Sequence, residues 1–266
     1  MPTTYTHYAY GQDVFNKLPE QIQKSIEPYM DYYNIGVHGP DILFYYHSYH
    51  KNSVNQYGIK VHHEPAREFF KRAFKVFQVQ KNKRAACAYL AGFMTHFILD
   101  STCHPYVRKR IKETGISHTD IETDWDFQVL QKAGEDLDHY KRACHVKNRK
   151  EIAMVIAPYF KKSAKQIRVS LFHMKLVINH IFRSGFGVKR AIAMMIGRYV
   201  CPELEIHHHF IPREIHPGDK ETCQHLWELY YGSQDLCVEM ITKLYNALHS
   251  MDTSFCKEKR LSRDFS

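Results

Sequence analysis

Residues 83–104 read KRAACAYLAGFMTHFILDSTCH. Apolar side chains cover this stretch almost all the way round a helical projection. A helix of that kind belongs inside a core rather than on a surface. Into it the chain sets His96, Asp100 and His104 at steps of four, so all three share one helical face. Ionisable groups on the buried face of a core helix are costly unless they are paired or bound to a cation. Pro105 disfavours helical geometry at the residue before it, so the helix is expected to stop at His104.

Working outward, Ser117-His118-Thr119-Asp120 carries a capping-box pattern and predicts a helix from His118 to Lys132, stopped near Gly134. His118 and Glu122 again stand four apart, in its first turn. Imidazole with carboxylate suits zinc, whereas acidic residues in a first turn also occur for helix-start reasons alone. Upstream, Gly36-Val37-His38-Gly39-Pro40-Asp41 is a turn before an aromatic run, with Asp41 a metal ligand or a simple cap. His62-His63-Glu64 precedes a helical stripe over Pro65 to Gln78, and His7 lies close to the N-terminus.

Elsewhere the pattern is also helical. Asp13 to Met30 is interrupted at Pro19 and Pro28, and long helices are expected over Lys150 to Phe182, Val188 to Val200 and Thr222 to His249. Pro158 kinks or divides the first of these. Residues 202–219 hold three prolines and the triplet His207-His208-His209, and read as a loop. Nothing alternates with period two strongly enough to make a sheet. The expected fold class is all-α: a single domain over residues 1–266 of about eight to ten helices, with the ligands within 1–130 and 131–266 completing the core.

The totals narrow the function. With 37 Lys+Arg against 28 Asp+Glu the formal charge is +9, which favours polyanionic partners. Seven scattered cysteines without a Cys-x-x-Cys pair read as reduced thiols. The first residues show no basic patch followed by an apolar run, so a cytoplasmic location is expected. The longest apolar stretch, Ala85 to Leu99, is too short to span a bilayer. No His-Asp dipeptide occurs, and Glu-x-x-His occurs once, at Glu205 to His208, where a di-iron bundle needs two. Disorder is not expected except near the last residues, Cys256 to Ser266, which are polar and basic.

Taken together, Thr6-His7-Tyr8, Gly39-Pro40-Asp41 with Ile42 to Tyr45, His62-x-Glu64, His96-x3-Asp100-x3-His104-Pro105 and His118-x3-Glu122 resemble the zinc-dependent phospholipase C family, and more closely its signal-less bacterial branch. That superfamily also contains zinc nucleases acting on single strands. The resemblance implies a helical fold and two to three zinc ions. Carried over residue by residue, it implies that His62, His96 and Asp41 hold one zinc with Asp100 bridging. It gives His104, His118 and Glu122 to a second, and His7 and Asp100 to a third. His63 is the fallback for His62. The chain departs from the secreted members at its N-terminus, where they use the amine and carbonyl of a terminal tryptophan, and in its shorter Asp100-to-His104 step.

On this reading Asp41 also orients or deprotonates the attacking water, as the family resemblance implies. Glu64 and Asp126 are candidates to support the ligating histidines. Tyr8, Phe44, Tyr45 and Tyr46 line a pocket for a quaternary ammonium head group or a base, or else belong to the core. The expected substrate is a phospholipid or another phosphodiester, with peripheral membrane contact. Single-stranded nucleic acid or a nucleotide diester is the alternative, and a non-catalytic metal-binding protein is a third reading.

Overall fold

The computed structural model describes residues 4–137, 139–181, 210–212, 214–216 and 219–265. Its regular structure is helical, with no strand among the described residues. The helices are α1 (Thr4–Lys17), α2 (Glu20–Ile26), α3 (Met30–Gly36), α4 (Asn55–His63), α5 (Ala66–Val79), α6 (Lys83–Thr114) and α7 (His118–Lys132). They continue with α8 (Lys150–Ile156), α9 (Ala164–Leu176), α10 (Lys220–Gly232) and α11 (Gln234–Ser250). Short 3-10 turns join them, among them Gly39–Tyr45, Ala157–Phe160, Thr253–Lys257 and Lys259–Ser262.

Helix α6 is the axis of the molecule. Every residue from Ala85 to Ser101 is buried, and α1, α3 and α11 pack around it. The tightest crossing is with α3, because two glycines remove the side chains from the contact. A Cβ on Gly92 would lie 2.2 Å from the Tyr33 carbonyl oxygen, and one on Gly36 would lie 2.2 Å from that of Tyr89. This close approach brings the turn after α3 directly over the His96 level of α6.

Helix α6 does not end at His104. It runs through Pro105 to Thr114 and closes on Gly115 at φ +73°. Proline removes the N–H that would reach the Ser101 carbonyl. The Arg263 guanidinium takes its place, donating to that carbonyl at 3.4 Å, while Arg260 donates to the Ser101 hydroxyl at 2.9 Å. Partners from the C-terminus thus compensate a break that local sequence rules place at His104.

The same contacts order the tail, the one stretch whose composition left room for disorder. Phe255, Cys256, Leu261 and Phe265 are buried, and residues 253–262 form two 3-10 turns. The Phe265 ring sits among Phe97, Phe93, His62 and His96 at centroid distances of 5.1 to 5.9 Å.

Other boundaries follow recognisable chemistry. Ser117 caps α7, accepting from the Asp120 N–H at 3.1 Å. Pro158 divides the long expected helix into α8, a 3-10 turn and α9. The helix expected over Thr222 to His249 is likewise split, at Ser233. The helix expected over Val188 to Val200 and the His207-His208-His209 triplet lie outside the described residues.

Candidate metal centre

Five elements converge on the buried face of α6. His96 and Asp100 are fully buried, with His96 Nε2 3.1 Å from Asp100 Oδ2. From α1, His7 brings its Nε2 to 3.2 Å from Asp100 Oδ1. Asp126 fixes the start of that helix: its Oδ1 accepts from both the Thr6 N–H and the Thr6 hydroxyl at 2.7 Å, and Arg142 donates to its Oδ2 at 3.3 Å.

Asp41 arrives on the 3-10 turn after α3. Gly39 there has φ +50°, and a Cβ on it would fall 2.2 Å from His96 Cδ2. Both the left-handed backbone and the missing side chain are needed for this turn to lie on the His96 ring. Asp41 Oδ1 is 2.8 Å from His62 Nε2 and 3.9 Å from His96 Nε2. His62, at the end of α4, donates from Nδ1 to the Gly58 carbonyl at 2.9 Å, which leaves Nε2 free to face Asp41. The adjacent His63 is exposed.

A second cluster forms where the C-terminal part of α6 meets α7. His104 Nε2 lies 3.4 Å from Glu122 Oε1, and His118 Nε2 lies 2.5 Å from the same oxygen. The Nδ1 of His104 donates to the Phe265 carbonyl at 2.6 Å.

Three groups of ligand atoms result, each with its atoms within 4.8 Å of one another: His7, His96 and Asp100; Asp41, His62 and His96; and His104, His118 and Glu122. All eight residues expected from the sequence fall in them, with His96 within reach of two groups. Several neighbouring pairs stand at hydrogen-bond distance without hydrogen-bond alignment. His7, His62, His96 and His104 each have a buried Nε2 with no partner, and Asp41 Oδ1 and both Asp100 oxygens are likewise unpartnered. So many unmatched buried lone pairs and N–H groups would be expensive in an empty interior. Imidazole and carboxylate donors aimed at common points fit divalent zinc.

The electrostatics favour the ligating protonation states at His96 and the three carboxylates, whereas at His104 Asp100 and Glu122 outweigh burial and raise the ring. Burial pushes His96 down to about 3, against the pull of Asp100 and Asp41, so the ring is neutral. Burial would raise the carboxylates. At Asp100, however, His96, His104 and His7 outweigh it and hold the group below the usual range. The same holds for Asp41, through His96 and His62, and for Glu122, through His118 and His104. Neutral imidazole beside ionised carboxylate is the state that binds a metal.

With this geometry in view, comparison with known families gives a match to zinc dependent phospholipase C over residues 6–173. The chain belongs to the zinc-dependent phospholipase C family. The match spans all eight clustered residues. Searches of curated proteins and of solved structures give no match.

Some residues of this family member were not legible as site residues. His38 and His145 are both buried and share a 2.7 Å contact between their Nε2 atoms, with Tyr8 stacked on His145 at 4.0 Å. Burial holds both rings neutral, His145 at about 3, and His38 also feels His7 and His96. His38 stands in the Gly36-to-Asp41 motif, which was the available signal; His145 has no motif around it. The Phe265 carbonyl, which orients His104, left no sequence signal at all.

Other expected roles change. Glu64 does not support a histidine, because it pairs with Arg72 on α5. The histidines His62 and His104 use backbone carbonyls instead. Asp126 acts on the α1 backbone rather than on an imidazole. Of the aromatics, Phe44 lies 5.0 Å from the His62 ring, Tyr8 covers His145, and Tyr45 is half-buried with its carbonyl accepting from His173 at 3.2 Å.

Proposed function

We propose that this zinc-dependent phospholipase C family member is a multi-zinc phosphodiester hydrolase. The observation that carries the reading is the convergence of His7, Asp41, His62, His96, Asp100, His104, His118 and Glu122 in three groups, two of which share His96, with unpartnered donor atoms on His7, Asp41, His62, His96, Asp100 and His104. These residues are the proposed ligands of two to three zinc ions. When bound, zinc supplies a Lewis acid for the phosphoryl group and makes water nucleophilic near neutral pH.

The chain's own groups do the rest. Asp41 is kept ionised, so one carboxylate oxygen can accept a proton from water while its position is fixed by the Gly39 turn. Asp100 lies against both His7 and His96 within one group, and His96 links that group to Asp41 and His62. His62 and His104 are held in one ring orientation by the Gly58 and Phe265 carbonyls, so their Nε2 atoms need no reorganisation on binding. Tyr8, Phe44 and Tyr45 are proposed to line the substrate side. A phospholipid head group is the favoured substrate, with peripheral contact at a lipid surface. No described helix is long and apolar enough to cross a membrane. The whole chain is proposed to act as one domain, since α11 and the tail pack on α6. The six described cysteines, all free thiols, support action in a reducing compartment such as the cytoplasm.

The test is turnover by zinc-loaded protein. Hydrolysis of a chromogenic phosphocholine diester without cleavage of single-stranded DNA supports the lipase reading. Cleavage of DNA alone transfers the site to nuclease chemistry, which the +9 charge permits. Turnover of neither by fully loaded protein leaves a metal-binding protein without this activity.

A further inference from the structure

A fourth group of ligand-type side chains lies away from this centre. Asp124 of α7, His216 and Asp219 bring one atom each to within 4.8 Å of one another. Asp124 follows Glu122 by two residues, about 200° round the helix, so it points away from the candidate zinc cluster. Asp124 and Asp219 are both fully buried. Asp124 Oδ2 accepts from the His216 N–H at 2.9 Å and lies 2.8 Å from His216 Nδ1. Its Oδ1 has no partner, and neither oxygen of Asp219 has one.

Asp219 stands at the residue before α10, where an aspartate ordinarily accepts from the first helical N–H groups. Here its side chain makes no capping bond. Its carboxylate is turned inward toward Asp124 instead. Two carboxylates brought together out of water, with three oxygens unmatched, are strongly unfavourable unless positive charge stands between them.

We propose that Asp124, His216 and Asp219 form a separate cation site that takes a divalent transition metal and fastens onto α7 the turn that the Asp219 N–H closes on the His216 carbonyl. Two carboxylates and one imidazole are a donor set for zinc or manganese rather than for calcium or magnesium. The His216 side chain is 47% exposed, which gives the ion an entry and leaves coordination positions for water. The turn leads into α10, which packs on both α6 and α7. An ion here therefore ties the second half of the chain to the helix that carries His118 and Glu122. It adds stability by binding the folded state alone. This inference does not depend on the hydrolase reading.

Full-length protein is saturated with Zn(II), dialysed against metal-free buffer, and its zinc per chain measured for the parent, Asp219→Asn, His216→Ala and Asp100→Ala. The site predicts that Asp219→Asn and His216→Ala each hold one zinc fewer than the parent. It also predicts a smaller rise in melting temperature on zinc addition. His216→Ala removes a half-exposed ring, so it decides the matter if Asp219→Asn fails to fold. Equal zinc in the parent, Asp219→Asn and His216→Ala would overturn the site and leave a proton shared between the carboxylates. Loss only in Asp100→Ala overturns this site while the main centre stands; loss only in the other two does the reverse. A parent without zinc overturns both.

Discussion

The two ends of the described chain meet the candidate centre in opposite ways. At the N-terminal end, α1 contributes a side chain, His7, and is anchored by a side chain, Asp126. At the C-terminal end, the tail contributes no ligand atom. It contributes backbone: the Phe265 N–H donates to the His62 carbonyl at 3.1 Å, and the Phe265 carbonyl accepts from His104. One end supplies chemistry and the other supplies orientation. Only the first kind of contribution can be read from residue types, because a ligand needs a particular side chain while an orienting carbonyl can belong to any residue.

The sharpest way to break this contrast is at the N-terminal anchor. Asp126→Ala leaves Arg142 without its buried carboxylate and Thr6 without its acceptor. It is expected to cost about 3–5 kcal/mol of stability, read by denaturant unfolding. Asp126→Asn, which retains an acceptor oxygen for Thr6, should cost less. If both variants unfold with the parent, Asp126 is not what places His7.

Removing residues 263–266 probes the other end. The proteins should stay folded, since Phe255, Cys256 and Leu261 remain buried. Zinc affinity should fall by about 10–100-fold, the usual effect of losing partners that orient ligands. Competition with a chromophoric chelator measures it. Unchanged affinity would reduce the tail to packing.

The buried histidines give a smaller effect that both ends share. His96 and His145 are held at about 3, and His38 is also held down, so each takes up a proton only on unfolding below its ordinary value of 6.5. In that window the unfolded chain binds more protons, so stability rises with pH. Metal-free protein should therefore melt progressively lower as pH falls from about 6.5 towards 3. Asp41, Asp100 and Glu122, whose values are also depressed, add to the loss as they protonate, while His104 and His216, whose values are raised by neighbouring carboxylates, offset part of it. A melting temperature flat from pH 7 to 5 would contradict the neutral buried rings. Smallest of all, His63→Ala should leave zinc content and stability unchanged, whereas a loss of zinc would move the ligand from His62 to its neighbour.

Legibility in the sequence followed the range of the forces involved. The core helix α6 and the step-of-four spacing of His96, Asp100 and His104 are local properties, and their shared burial follows from helical geometry. The cap at Ser117 and the stop before Gly134 are local as well. Pro105 misled because its missing hydrogen bond is replaced by Arg263, 162 residues away from Ser101. The tail misled because its Lys and Arg residues dominate the composition. Leu261 and Phe265, its few apolar residues, were enough to bury it. His145, His216 and Asp219 carry ionisable groups with no spacing that points to their partners.

The central claim is that the buried Asp100 carboxylate on α6 belongs to a group of proposed zinc ligands that His96 joins to a second group. The most direct measurement is the zinc content of untagged protein beside an Asp100→Ala variant, with circular dichroism to verify that both are folded. The account predicts roughly two to three zinc ions per chain in the parent, as multinuclear hydrolase sites hold, and a loss of at least one in the variant. Less than one zinc per chain, unchanged by the substitution, would contradict it.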